Sequence, residues 1–550
     1  MNPSSVLICN GTLYDGCGGP PRRGDLLVED GRIVAVGEAK AAGGAGRILD
    51  AEGLAVCPGF IDIHSHSDLA LLHREAPDLL GPFIAQGITT QVIGNCGLGV
   101  APAPPAQRST LAAFMALIAP AGVEWTWSSY QQYLSALKHA RPPLNVVPLV
   151  AHGALRCAVL GATPGPARGR HLEAMATELE AALRAGAFGL SAGLIYPPGL
   201  WADTEELARL CRMVAAVDGL FACHVRGSSE VALEAERELL TLGERTGVRL
   251  QHSHHEAFGA PYWHLARSTL AMEDEARGQG IDIASDVIPY HAVNTSLLAV
   301  YPPWALAGGV EELCGRLARP AERDRIGLEI AGRIPHWPPW EDGWAHNLVR
   351  ATGWENIVLL QAASPAHTGW LGKSFTAIGE GEGKPPFLCA AEITRAAKGN
   401  VMARYHGVAG APGDDGVLGD LLRHPQHAIG VDVILKGDGV PHPGGYGAMP
   451  RVLGHYARQR GWFSLQEAIR KATSLPASRL GLADRGRLAP GSMADLVIFD
   501  GQSICERGSY EAPRRRPQGI HWVLINGEVA LESGELTGRR CGSVLHRPLP

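Results

Sequence analysis

The chain lacks the marks of a secreted, membrane-spanning or nucleic-acid-binding protein. Its eleven cysteines are odd in number and scattered, and no two are spaced as CxxC. That excludes a disulfide framework and suits a reducing compartment. No stretch of eighteen residues is both apolar and free of charge, so no transmembrane helix is expected. Met1-Asn2-Pro3-Ser4-Ser5 has no basic run leading into a long apolar one, and a signal peptide is not expected either. Surplus positive charge is missing too: the net charge is −6 and the isoelectric point is near 6.4. This argues against a nucleic-acid or membrane-surface partner. There is no internal repeat or low-complexity tract, and no feature that sets an oligomeric state. The expectation is a cytoplasmic protein acting on a small molecule.

What is present is apolar material in quantity. Of 550 residues, 46% are hydrophobic and 19% charged, ample for a large core and more than one ordinary domain holds. Residues 1–57 read as short strands: Val6-Leu7-Ile8-Cys9 runs into Asn10-Gly11, and Leu26-Leu27-Val28 passes through Glu29-Asp30-Gly31 to Ile33-Val34-Ala35-Val36. Residues 494–500 and 522–529 repeat that pattern. The two ends, 1–57 and 481–550, are therefore expected to build one small β-sandwich domain. Residues 58–480 alternate apolar strands with amphipathic helices, such as 171–186 with Leu172, Met175, Leu179, Ala182 and Leu183 at helical spacing. Repeated βα units over that length predict an α/β fold, a (β/α)8 TIM-type barrel. A stretch at about 291–350 breaks the rhythm with Tyr301-Pro302-Pro303-Trp304 and His336-Trp337-Pro338-Pro339-Trp340. It is expected to be an irregular insertion serving as a lid over the barrel mouth.

The chemistry starts at Pro58-Gly59-Phe60-Ile61-Asp62-Ile63-His64-Ser65-His66, an apolar run ending in two histidines spaced i, i+2. Side chains alternate along a strand, so both rings point one way, as two ligands on one metal must. Imidazole pairs suit zinc and similar ions. A bare HxH is a weak signal, and a buried structural pair is the plain alternative. Further apolar runs end in Cys96, in His224, in His252, His254 and His255, and in Asp432. Each alone reads equally well as structural; a buried apolar cysteine is common. Together they sit at successive strand ends, where a barrel gathers its active site. His252 shares a face with His254 and competes for the ligand role, whereas alternation turns His255 away.

In that order, HxH, Cys in Gly94-Asn95-Cys96-Gly97, two histidines and a late Asp, the chain resembles the amidohydrolase superfamily and, within it, the N-acyl-D-amino-acid deacylase (D-aminoacylase) family. The likeness runs nearly end to end, through residues 152–156, 189–197, 254–255, 286–290, 446–454, 473–477 and 484–486. It implies a tight zinc site of Cys96, His224 and His254, and a weaker second position at His64 and His66 with Cys96 as candidate bridge. It implies that Asp432 takes a proton from water activated at the metal and returns it to the leaving amine. Many superfamily members bridge their metals with a carboxylated lysine; residues 186–200 contain no lysine, which argues against a cyclic-amide hydrolase. Tyr196, Tyr290 and Arg156 are substrate-pocket candidates, His152 and Arg156 candidates for orienting neighbours, and Trp337 and Trp340 candidates for contact with an acyl group.

Two departures stand out. Most family members carry a Lys directly after the histidine pair and an Arg before the Tyr-Gly, cations that hold the substrate's free carboxylate. Here those positions are Glu256 and Gly444. An added anion where cations are missing should repel an N-acyl-D-amino acid, unless another base such as Arg226 or Lys436 binds it. The expected function is zinc-dependent hydrolysis of a linear amide whose substrate lacks that carboxylate or bears an amine. A deacylase of usual specificity, a cyclic-amide hydrolase and a non-enzymatic scaffold are the alternatives; the scaffold predicts lost ligands, and all six are present.

Overall fold

The computed structural model describes residues 2–38 and 45–547, so the expected terminal segments 1–57 and 481–550 extend in part beyond the described residues. The two ends meet in one nine-stranded sheet. Five strands come from the start of the chain and four, Leu496–Phe499, Ile520–Ile525, Glu528–Glu532 and Glu535–Leu536, from its end. The seam is the antiparallel pairing of Ala55–Pro58 with Leu496–Phe499. The long first strand, Asn2–Leu13, bulges between Ile8 and Gly11. From Val6 to Leu13 one flank pairs with Arg22–Glu29, while the other is shared by Ala45–Asp50 and Ala55–Pro58.

Gly59 alone separates this sheet from Phe60–Asp62, the first of a series of parallel strands. Phe60–Asp62, Ile88–Ile93 and Asn145–Pro148 form one parallel sheet; Val150–Ala151, Gly189–Gly193, Leu220–His224, Arg249–His252, Ile283–Val287 and His427–Ile429 form another. Pro148, which has no N–H to give, marks the break between the two. Nearly every residue in these strands is buried, the pattern of a sheet covered on both faces. Amphipathic helices connect them. Arg170–Arg184 buries Met175, Leu179, Ala182 and Leu183, as its spacing predicts, and ends before Gly186 at φ 104°. Ends of the series also touch: the Asp432 N–H donates to the His64 carbonyl (2.9 Å), and the Asp62 carboxylate accepts from Val431 N–H (3.0 Å).

The insertion between Ile283–Val287 and His427–Ile429 is longer and more regular than the sequence suggests. It holds an antiparallel sheet of Ala292–Ser296, Val401–His406 and Ile357–Ala362, with helices including Val310–Ala318, Pro320–Gly332 and Pro386–Ala396. The proline clusters that read as breakers instead start helices: Pro303–Leu306, Pro320–Gly332, Pro339–Asp342 and Pro386–Ala396 all carry Pro in the first turn. There the missing N–H costs nothing and the fixed φ is already helical. Among the described residues no helix is long and apolar enough to cross a membrane.

Candidate metal centre

Side chains from separate strands converge at one end of the parallel series. His64 and His66 follow the strand Phe60–Asp62, and His224 is the last residue of Leu220–His224. Cys96, His254 and Asp432 lie just past their strands and take left-handed backbone angles, φ 52°, 36° and 48°. Such values in non-glycine residues cluster at functional sites, where the surrounding fold enforces them. The glycines beside Cys96 permit this turn. A Cβ at Gly193 would overlap the Cys96 carbonyl oxygen, and one at Gly430 would come within 2.8 Å of Asp286 Oδ1 and 3.1 Å of His64 Cβ.

The donor atoms are close. His64 Nε2 is 3.1 Å from Cys96 Sγ, and His254 Nε2 is 3.5 Å from the same sulfur. Asp432 Oδ1 is 3.0 Å from His66 Nε2 and 3.7 Å from His64 Nε2. Two three-donor sets result, His64–Cys96–His254 and His64–His66–Asp432, sharing His64. The His224 ring stands edge-on to His254 with centroids 4.3 Å apart. His224 is buried, yet neither of its ring nitrogens has a hydrogen-bond partner. Buried polar groups are nearly always satisfied, so this ring, beside a thiol and two imidazoles, fits a metal of the zinc type.

The electrostatics agree with that donor set. Burial opposes a thiolate at Cys96, but His64 and His254 beside it outweigh burial and hold the thiol well below its ordinary range. Burial also opposes charge on His66, and the Asp432 contact overrides it, raising the imidazole to about 9. Behind the donors, Asp286 accepts from His254 N–H (2.8 Å) and Gln251 Nε2 (3.0 Å), and its Oδ1 is 3.2 Å from His64 Nδ1. Burial works against this carboxylate, but His64 keeps it below the usual range. Asp286 thus orients the His64 ring and holds the backbone that carries His254. Its position at the end of an apolar strand is the only sequence signal for that role.

The cavity among these groups is about 20 Å³, room for a single water. Its lining includes His66, Cys96, Tyr196, His224, His254, Glu256 and Asp432, and among the described residues no Lys or Arg lines it. Glu256 Oε1 is 3.1 Å from His254 Nδ1. Tyr196 accepts from Thr295 Oγ1 (2.9 Å) and stands against His224. Ile195 also lines a larger cavity of about 370 Å³, walled by Trp304, Trp340, Trp344 and His346.

Other expected residues lie elsewhere. The Tyr290 hydroxyl donates to Glu506 (2.5 Å) under the Arg451 guanidinium. Arg156 and His152 both bind Glu206, at 2.5 and 2.8 Å, so neither reaches the cavity. Gly444 opens the helix Gly444–Pro450, where a Cβ would meet His442 Nδ1 and Tyr290 Cε2 at 3.0 Å; no arginine fits there without rearrangement. Arg226 is spent on Glu238 (2.6 and 3.1 Å), and Lys436 on Ala116 O and Asn400 Oδ1 (3.1 and 3.0 Å). Trp340 lines the larger cavity and Trp337 packs on its edge. His252 is not a competitor of His254: the strand ends at His252 and His254 turns to positive φ, so face alternation fails between them. His252 and His255 stack instead, centroids 4.4 Å apart, away from the cavity.

The fold and this donor set define a metal-dependent hydrolase, and comparison with known proteins gives the class: the chain belongs to the amidohydrolase family, whose model matches residues 47–314 and 399–531. Within it, D-aminoacylase of Alcaligenes xylosoxydans xylosoxydans is 33% identical over 99% of this chain and 98% of its own length. N-acyl-D-glutamate deacylase of the same organism is 34% identical over 95% and 92%. Among solved structures, N-acyl-D-glutamate deacylase from Bordetella bronchiseptica, complexed with zinc and a phosphonate mimic of the tetrahedral intermediate, superposes with a TM-score of 0.81 at 33% identity, covering 98% of this chain and 99% of that one. A D-hydantoinase shares the fold at 16% identity and a TM-score of 0.55.

Proposed function

We propose that the chain is a zinc-dependent hydrolase of a linear N-acyl amide whose substrate lacks the free carboxylate of an N-acyl-D-amino acid. The observation that carries this reading is the wall of the small cavity: Glu256 and Asp432 face it, and among the described residues no Lys or Arg does. A substrate carboxylate there would meet like charge, which costs several kcal/mol. A neutral amide or an amine would not. Cys96, His224 and His254 would hold the tight metal, and His64 and His66 a weaker second one, with Cys96 between them. The ion would polarise the amide carbonyl and bring a water's acidity toward neutrality.

Asp432, held 3.0 Å from His66 Nε2, is the base that takes the proton of the attacking water and the acid that returns it to the leaving nitrogen. Asp286 fixes His64 and His254, and Tyr196 closes the wall beside His224. The bulk of the substrate would lie in the larger cavity, under a lid formed by residues 291–350; Trp304, Trp340 and Trp344 on its wall support that placement, and the arginines there, Arg226, Arg325 and Arg333, are ion-paired with Glu238 and Glu329. Cyclic-amide hydrolysis is the poorer reading, since no lysine occurs in residues 186–200.

The architecture we infer is a (β/α)8 barrel over 58–480 and a β-sandwich domain from both ends. Ile61, Val92, Val147, Ala222 and Ala428, from early, middle and last strands, share one small core, as closure requires. Val6, Ile8, Leu26, Val28, Leu496, Ile498 and Leu524 form a core of their own, as a separate domain requires. The test is turnover of N-acetyl-D-amino acids against their carboxamides and the matching N-acyl amines. Neutral or cationic substrates should show kcat/KM at least about tenfold higher; comparable turnover of the free acids would overturn the reading.

A further inference from the structure

A second cluster of histidines and carboxylates lies outside the cavity, between the strands Arg249–His252 and Ile283–Val287 and the helices Ala232–Thr246 and Leu265–Gly278. His252, His255, Glu236 and Glu273 are all essentially inaccessible, and none lines the cavity. His252 Nδ1 is 3.0 Å from Glu273 Oε1 and 3.0 Å from Glu236 Oε2, and His255 Nδ1 is 3.2 Å from Glu273 Oε1. His252, His255 and Glu273 form a three-donor set. Donors bound at about 2.0–2.2 Å to one tetrahedral ion stand at about this separation from each other.

The crowding of acceptors points to a cation. His255 Nε2 lies 2.7 Å from Thr269 Oγ1, and His255 Nδ1 faces the Glu273 carboxylate without a hydrogen bond. Glu236 adds to the demand: it is fully buried, and its carboxylate meets only His252 Nδ1, a nitrogen that Glu273 also claims, a condition costing several kcal/mol if left uncompensated. The nearby Arg277 is within 3.2 Å of Glu273 Oε2 and balances one carboxylate of the two.

We propose that His252, His255 and Glu273, with Glu236 as fourth donor, hold a structural divalent cation of the zinc class, separate from the metal centre at Cys96. Two imidazoles and carboxylates without a thiolate, closed to solvent, suit a structural rather than a catalytic ion. Thr269 on His255 supplies the outer hydrogen bond that metal-bound imidazoles usually have.

The test is metal content of the full-length zinc-loaded protein by plasma mass spectrometry, for wild type, Glu273→Gln and His255→Gln. Each variant should hold one zinc per chain fewer than wild type. Unchanged zinc in both variants would overturn the site and leave a protonated imidazole as the buried cation. Should the variants fail to fold, anomalous diffraction at the zinc edge on wild-type crystals decides: a peak between His252, His255 and Glu273 supports the proposal, and its absence with zinc present at Cys96 refutes it.

Discussion

Replacing Asp432 by Asn removes a proton carrier while leaving the thiol and imidazoles in place. kcat is expected to fall by about 10²- to 10⁴-fold, with the tight metal retained in metal analysis. Asp286→Asn should act differently. It touches no substrate but holds the His64 ring and the His254 backbone, so metal affinity should weaken about 10- to 100-fold, read by titration against a competing chelator. Glu256→Gln keeps an acceptor near His254 Nδ1 and removes the charge. The expected result is improved relative turnover of N-acyl-D-amino acids at unchanged metal content; lost metal without changed preference would make Glu256 a support for His254 alone. The expected donors stand out in the sequence because each ends an apolar run, but only the family resemblance separates them from buried structural residues. Asp286 was not, because its role needs partners from three separate strands. Gly444 and Tyr290 were misplaced because an aligned motif says nothing about the space around it, and here His442 and Glu506 occupy that space.

At the scale of elements, the loop carrying Cys96 depends on how near it can approach its neighbour strand. Gly193→Ala sets a methyl against the Cys96 carbonyl. Overpacking of this kind costs about 1–3 kcal/mol, and both a lower melting temperature and weaker metal binding are expected in one variant. A drop in melting temperature with full metal affinity would mean the loop adjusts independently of its donors. Parallel strands and helices read well from sequence, since their periods and burial are regular. The insertion did not: Pro-Trp clusters have the same composition whether they break a chain or open a helix, and only tertiary packing of the first turn separates the two.

Across the whole molecule, buried titratable groups set the response to pH. Burial pushes His346 down to about 3. Below about pH 6.5 the unfolded chain binds a proton there that the folded chain refuses, so stability falls as pH drops toward 3, by about 1.4 kcal/mol per unit. His346→Gln should therefore gain on wild type between pH 8 and pH 5 in urea unfolding; a constant difference would contradict the shift. The joint between sheet and strands is a second global determinant. Asp495 accepts from Asn145 Nδ2 (3.1 Å), from Asn526 N–H (2.7 Å) and from Arg485. Asp495→Ala leaves Arg485 buried without its carboxylate, a loss of about 3–5 kcal/mol visible in the urea midpoint.

The seam between Ala55–Pro58 and Leu496–Phe499 also governs how the protein is made. A ribosome releases the first of these strands long before the second, and Gly59 ties that strand directly to the one bearing His64. Until residues 496–499 emerge, a nascent chain carries an open strand edge of the kind that recruits chaperones or self-associates. A late stretch of the chain, with no donor residue in it, is thus what seals the strand leading into the metal centre.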